Sequence, residues 1–241
     1  MNAIAHGAVL LDVQRLSKRF GGVVASAGVD LQVLVGEVHA LIGPNGAGKT
    51  TLVAQLAGQL KSDSGKVVFA GEDITRLAPH ERARRGLARS FQITRLFRSF
   101  DVRDNVALAV QASGAGAPTG RVDEVLAEIG LADKAEASID ALSHGEQRAL
   151  EVGLAIAGRP RLVLLDEPMA GMGLDESRRM EALIQRLRLR TTVLLIEHDV
   201  DAVFRLADRV SVLVSGQVIA SSTPEEVRRD AGVVEAYLGK E

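Results

Sequence analysis

Residues 43–50 read GPNGAGKT and fit the pattern G-x-x-x-x-G-K-[ST]. Glycines in this pattern let the backbone curl so that successive N–H groups point into one concavity. The lysine then brings its charge to the outer phosphates of a nucleotide, and the hydroxyl that follows it ligates Mg²⁺. The flanking sequence predicts a strand at residues 38–42 and a helix at residues 51–57, whose N-terminus favours an anion. We therefore predict a nucleotide-binding loop; the alternative is a glycine-rich turn with an incidental lysine.

The composition indicates a protein with a sizeable hydrophobic core and no cysteine chemistry. Of the 241 residues, 46% are hydrophobic and none is cysteine, which excludes disulfides and thiolate metal sites. The net charge is −2 and aromatic residues make up 3%, whereas a general nucleic-acid binder has a basic surface and stacking rings. No apolar run approaches the ~18 residues that span a bilayer, and residues 1–7 lack the pattern of a signal peptide. We therefore expect a soluble, cytosolic protein without a nucleic-acid partner.

A local cluster of arginines runs against this acidic balance. We interpret it first as solvated helix and loop surface; the alternative is a docking face for a partner, close to anionic lipid headgroups. Its members are Arg82, Arg84, Arg85, Arg89, Arg95, Arg98 and Arg103.

Strand and helix patterns alternate in the last third of the chain. Residues 162–165 are continuously apolar, as in a buried parallel strand, and residues 192–196 and 210–214 are similar. A helical pattern at residues 175–189 precedes the second of these strands. This alternation predicts a parallel sheet with helices on its faces.

Two other regions have a different character. Residues 29–35 alternate apolar and polar side chains, which predicts a half-exposed antiparallel strand. Residues 102–111, 121–129 and 146–157 have helical spacing, and a glycine- and alanine-rich linker occupies residues 112–120. The middle of the chain therefore predicts a helical unit inserted into the α/β fold.

Polar residues follow three of the predicted strands. Because ligands of open α/β sheets bind beyond the carboxyl ends of the strands, Asp166 is positioned to hold Mg²⁺. Glu167 is positioned to orient or deprotonate an attacking water. His198 and Gln92 follow two other strands and could contact the γ-phosphate and the water or Mg²⁺, respectively. The alternative is a set of strand-terminating polar residues without a catalytic role.

Residues 142–147 read LSHGEQ and precede a predicted helix. Ser143 with Glu146 three residues later is a capping-box pattern, so one interpretation is a well-capped helix. The other is a second anion site, at which the Ser143 hydroxyl and the Gly145 N–H face a phosphate.

These motifs, in this order, resemble the ATPase subunits of ABC transporters over nearly the whole chain. In that family residues 43–50 correspond to Walker A, residues 142–147 to the signature and residues 162–166 to Walker B. The resemblance implies ATP binding by Phe20, Gly43, Pro44, Asn45, Gly46, Ala47, Gly48, Lys49, Thr50 and Thr51; catalysis by Glu167, His198 and Gln92; metal binding by Thr50, Gln92 and Asp166; and contact with the partner's ATP by Ser143, His144, Gly145 and Glu146.

The resemblance also implies the fold and the cofactors. The fold class is α/β, with a P-loop NTPase (RecA-like) core, an antiparallel β subdomain and an inserted helical subdomain. With one phosphate loop and no internal repeat, we expect residues 1–241 to form a single ATPase domain, with residues 93–158 approximately as its helical signature subdomain. ATP and Mg²⁺ are the expected cofactors.

In this family two ATPase subunits pair head to tail, and the signature of each closes over ATP held by the other's Walker A. The expected partners are therefore a second ABC ATPase subunit, identical or different, and two membrane permease subunits, with a solute-binding protein acting indirectly. The resemblance places such a subunit in the cytoplasm, on the inner face of the cell membrane.

Three stretches resemble the ATPases of branched-chain amino acid importers: residues 88–92 with 95–97, residues 166–173 and residues 235–239. Urea or short-amide importers and lipopolysaccharide exporters share some of these features and remain alternatives. His144 replaces the first glycine of the signature, and Gly173 replaces the aspartate that most members carry in the D-loop.

Two further hypotheses remain outside transport. One is a non-transport ABC protein that acts on DNA or ribosomes, which the single cassette and the short spacing between Lys49 and Ser143 disfavour. The other is a regulatory protein that binds ATP without turnover, which Glu167 and His198 disfavour.

Overall fold

The computed structural model describes residues 7–90, 96–114 and 120–238. The strands in these residues are β1 (Val9–Phe20), β2 (Val23–Leu34), β3 (Val38–Ile42), β4 (Ser64–Phe69), β5 (Glu72–Asp73), β6 (Leu87–Arg89), β7 (Leu162–Asp166), β8 (Thr192–Ile196), β9 (Arg209–Val214) and β10 (Gln217–Ser222).

The α-helices in the same residues are α1 (Lys49–Leu56), α2 (Pro79–Arg84), α3 (Val102–Ala112), α4 (Arg121–Ile129), α5 (His144–Ile156), α6 (Leu174–Leu187), α7 (Val200–Leu206), α8 (Pro224–Arg229) and α9 (Ala231–Val233). Short 3-10 turns lie at Ala132–Lys134 and Ile139–Ala141, and a π-helical turn at Val234–Leu238. None of the helices described here is both long enough and apolar enough to cross a bilayer.

The larger sheet has six strands in the order β10-β9-β3-β8-β7-β6. All neighbouring pairs in it are parallel except β10 with β9, which confirms the predicted parallel sheet. Strands β3, β7 and β8 are buried at every position, which is why their sequences are mostly apolar rather than alternating. Because parallel strands end at the same edge, the segments after β3, β7 and β8 meet there.

The smaller sheet is antiparallel, in the order β2-β1-β4-β5. Strand β1 extends as far as Phe20, because its pairing with β2 continues through several register shifts. Arg15 within it has a positive φ of 47°, and the apolar alternation is lost near that point. Helix α1 buries Leu52 and Leu56 in a core shared by both sheets.

Helices α3, α4 and α5 lie between β6 and β7 in sequence and pack on one another. A Cβ at Gly153 of α5 would lie 2.8 Å from the Ile129 side chain, so glycine permits the close approach of α4. Helix α5 begins at His144, two residues before the predicted start, because Ser143 is its N-cap. The buried residues of these helices are continuous with those on one face of the six-stranded sheet.

Candidate nucleotide-binding and catalytic site

The loop between β3 and α1 requires glycine at two positions for space. A Cβ at Gly43 would lie 2.0 Å from the Leu213 carbonyl oxygen, and one at Gly48 would lie 2.1 Å from that of Ala25. Both glycines also have positive φ, 155° and 105°. Gly46 has a φ of 79° with open space around it, so its requirement is conformational alone. The neighbouring strands therefore confine this loop to a curled backbone.

Lys49 lies inside the loop and is 7% exposed. Its Nζ donates to the carbonyl oxygens of Gly43 at 2.6 Å and Pro44 at 3.1 Å. Burial lowers the pKa of Lys49, and the nearby carboxylates of Glu167 and Asp166 oppose that shift. The loop thus encloses a lysine whose only hydrogen-bond acceptors among the described residues are backbone carbonyls, which phosphate oxygens can replace.

The start of α1 is open to an anion. Its N-cap is Gly48, which offers no side-chain cap, and its first turn carries no acidic residue. The Ala47 N–H donates to the Pro44 carbonyl oxygen at 3.1 Å, whereas Asn45 is exposed at the outer bend. In the first turn, the Thr50 side chain is exposed and Thr51 is half-buried.

Phe20 ends β1 and is 49% exposed. Lys18 Nζ lies 5.6 Å from the centre of its ring, a cation–π contact. An exposed aromatic face of this kind can stack on a planar base.

Asp166 ends β7 and is almost fully buried. Its Oδ2 accepts a hydrogen bond from an Arg89 guanidinium nitrogen at 2.7 Å, and its Oδ1 is buried without a hydrogen-bond partner among the described residues. An unpartnered buried carboxylate oxygen is costly, and a cation or its water would remove that cost. The donor set thus fits Mg²⁺, which takes one or two carboxylates together with phosphates and water.

Glu167 adopts left-handed backbone geometry, with a φ of 50°, and its N–H donates to the Ile196 carbonyl oxygen at 2.9 Å. Such a backbone costs about 1–3 kcal/mol in a non-glycine residue and is typical of functional sites. His198 Nε2 lies 2.9 Å from Glu167 Oε1, so the ends of β7 and β8 bring together two residues 31 positions apart.

Glu197 was not predicted as part of this site. Its carboxylate accepts the N–H groups of Met169 at 2.9 Å and His198 at 3.2 Å, and so ties the segment after β7 to the segment after β8. Burial raises its pKa above the usual value. The sequence signal that could have identified Glu197 is its position, since it is a charged residue directly after an apolar strand.

The start of α5 contains the predicted capping box. Ser143 Oγ accepts the Glu146 N–H at 3.3 Å, and Glu146 accepts the Ser143 N–H at 2.9 Å. Lys134 Nζ lies 2.6 Å from the other Glu146 oxygen. His144 Nε2 lies 3.2 Å from the Ala170 carbonyl oxygen, and the backbone of His144 is not in the left-handed region, so its departure from glycine causes no strain.

The arginines between residues 80 and 103 do not form one surface. Arg82 is buried and donates to the Gln55 and Leu56 carbonyl oxygens at 2.8 and 2.6 Å, and burial lowers its pKa to about 10. The Arg89 side chain is 10% exposed and forms an ion pair with Asp166. For Arg82 and Arg89, the interpretation as solvated surface and the alternative of a docking face are therefore both wrong. The predicted Gln92, like Arg95, lies outside the described residues.

Comparison with known proteins identifies the family. Residues 27–170 match the ABC transporter family, and residues 217–241 match a branched-chain amino acid ATP-binding cassette transporter family. The high-affinity branched-chain amino acid transport ATP-binding protein BraF of Pseudomonas aeruginosa is 38% identical, over 96% of this chain and 98% of its own length.

Two other similarities cover nearly all of this chain. The Fe(3+) ions import ATP-binding protein FbpC of Streptomyces avermitilis is 40% identical over 96% of this chain and 68% of its own length. The ADP conformation of MJ1267, an ATP-binding cassette of an ABC transporter, has a TM-score of 0.86 and 30% identity, over 96% of this chain and 99% of that one. These matches confirm the predicted fold class, and the chain belongs to the ATP-binding, ATP-hydrolysing cassettes of ABC transporters.

Proposed function

We propose that this cassette powers the import of branched-chain or other hydrophobic amino acids. The observation that carries the proposal is the match of residues 217–241 to the branched-chain amino acid cassettes, together with the end-to-end similarity to BraF. FbpC has 40% identity to this chain and BraF has 38%, so identity over the cassette does not by itself identify the transported solute. In this chain the matched C-terminal region begins with β10 and continues through α8 and α9.

Its partners would be two membrane permease subunits, a second cassette and, indirectly, a solute-binding protein. The site would then lie in the cytoplasm, on the inner face of the membrane to which the permease holds it. Each signature would close over ATP held by the other cassette. The packing of α3, α4 and α5 on one another supports residues 93–158 as the unit that carries the signature, within a single domain of residues 1–241.

ATP would lie against the 43–50 loop, with its phosphates on the backbone N–H groups and on Lys49. The exposed ring of Phe20 would stack on the adenine. Mg²⁺, when bound, neutralises charge on the β- and γ-phosphate oxygens. Thr50 and Asp166 would hold it, together with Gln92.

The reaction is phosphoryl transfer to water. Glu167 would orient the water and accept its proton, because its carboxylate is ionisable, only 18% exposed and placed at the strand edge beside Lys49. His198 would hold the Glu167 carboxylate in position through their 2.9 Å contact and meet the γ-phosphate with its exposed face. The protein thus acts by positioning and charge rather than by a covalent intermediate.

The test is reconstitution with the membrane subunits that co-purify with this chain. ATP hydrolysis in proteoliposomes should rise when leucine, isoleucine or valine is supplied with the binding protein, and should not rise with urea or Fe³⁺. Assemblies that carry Glu167→Gln control for contaminating ATPases. Co-purification with a lipopolysaccharide exporter, or stimulation by urea or iron alone, would overturn the amino-acid assignment.

A further inference from the structure

The N-terminus of α5 already holds an anion from its own chain. The Ser143 hydroxyl donates to Glu176 Oε1 at 2.9 Å, and the Gly145 N–H donates to the same oxygen at 3.1 Å. A Cβ at Gly145 would lie 2.8 Å from Glu176 Cδ and Oε1, so glycine at this position makes room for the carboxylate.

These donors are the ones that the sequence predicts for a phosphate. A hydroxyl and a backbone N–H at the start of a 13-residue helix form an anion site, and a carboxylate oxygen has the same acceptor chemistry as a phosphate oxygen. The hydrogen bonds from Ser143 and Gly145 lower the pKa of Glu176, so the carboxylate is ionised at neutral pH. Among the described residues it has no lysine or arginine within ion-pair distance, so the signature donors are its principal partners.

Glu176 also links the signature to the segment that follows the catalytic glutamate. Glu176 lies in the first turn of α6, three residues after Gly173. Gly173 is the position at which most family members carry the D-loop aspartate. His144 reaches the same segment through the Ala170 carbonyl oxygen. Two contacts, one through Glu176 and one through His144, therefore hold the signature against the segment at residues 170–176.

We propose that Glu176 is an intramolecular competitor for the partner's ATP: its carboxylate occupies the signature anion site in the single chain and must leave when two cassettes close. The inference rests on the proposed pairing of cassettes. A closed dimer of two identical cassettes would displace two such carboxylates, one per site. On pairing, the phosphate of ATP would then have to replace the Glu176 carboxylate as the acceptor for Ser143 and Gly145. Until then, the carboxylate would keep other anions out of the signature site.

The experiment measures ATP-dependent pairing by sedimentation velocity, with Mg²⁺ and ATP, in a Glu167→Gln background that prevents turnover. Glu176→Gln removes the charge while keeping the side-chain shape, and we expect the dimer dissociation constant to fall about tenfold or more. Glu176→Asp keeps the charge but withdraws the carboxylate by one methylene, and it should also tighten pairing. Asp175→Asn is the matched control, because it removes one charge from the neighbouring exposed position of the same helix turn.

The outcomes separate two failures. Equal pairing of the background protein and both Glu176 variants, or equal tightening by Asp175→Asn, would overturn the competitor role and leave the paired cassette intact. Absence of pairing in every protein, including the background, would overturn pairing between identical cassettes and this inference together. Urea unfolding of each variant checks that a loss of pairing is not a loss of fold.

Discussion

Replacing Arg89 by methionine would leave the Asp166 carboxylate buried without its charged partner. The two side chains are 10% and 0% exposed, and one Arg89 nitrogen lies 2.7 Å from Asp166 Oδ2. Asp166 Oδ1 already has no partner among the described residues. Arg89 is therefore the only described basic group that hydrogen-bonds to this carboxylate, and methionine keeps most of the side-chain volume without the charge.

The expected loss is large because the pair is desolvated. Removing one member of a buried ion pair costs about 3–5 kcal/mol, whereas an ordinary domain is stable by about 5–15 kcal/mol in total. The Arg89 bond to Gln59 is a smaller part of the loss, because Gln59 is exposed. Asp166→Asn removes the charge that needs a partner, so Arg89→Met should cost less than about 1.5 kcal/mol in that background.

The assay is a double-mutant cycle by urea unfolding of the nucleotide-free protein, with the denaturant slope checked for constancy. Arg98→Met is the control, because its ion pair with Asp140 is about two-thirds exposed at both ends and should contribute little. If Arg89→Met cost the same with and without Asp166→Asn, or no more than Arg98→Met, the reasoning about the buried pair would be refuted.

Three further predictions follow from the same geometry. Glu167→Gln should lower phosphate release by at least about 10²-fold while fluorescent-nucleotide affinity is kept; equal turnover would contradict its role as base. Gly48→Ala should abolish nucleotide binding, because its Cβ would meet the Ala25 carbonyl oxygen at 2.1 Å, whereas Gly46→Ala meets nothing within 4 Å and should be milder. Burial raises the pKa of Glu197, so the folded state keeps the Glu197 proton to higher pH than the unfolded state does. The free energy of unfolding should therefore fall as pH rises above about 4.5. Glu197→Gln should remove this decline, and a variant with the same pH dependence as the parent protein would contradict the prediction.

Local patterns were enough for the main elements. The predicted strand at residues 162–165 corresponds to β7, because a buried parallel strand is apolar on both faces and the pattern shows it directly. The capping box at Ser143 and Glu146 is formed as predicted, since both partners lie within one helical turn. Strand β10 and helix α7 were not predicted; α7 has seven residues, too few for a clear helical period.

What the sequence by itself determined is therefore local: the curl of the 43–50 loop, the apolar strands that enter it and the helix starts, which follow from residue spacing within a few positions. Only the tertiary structure decided which distant groups meet. The fold pairs Arg89 with Asp166, 77 positions away, and brings the Glu176 carboxylate into hydrogen-bond contact with the Gly145 N–H, 31 positions away. Arg98, from the same arginine cluster as Arg89, lies at the surface. Sequence spacing carries the period of a helix or strand, but contacts across the sheet edge depend on strand order, which no short pattern encodes.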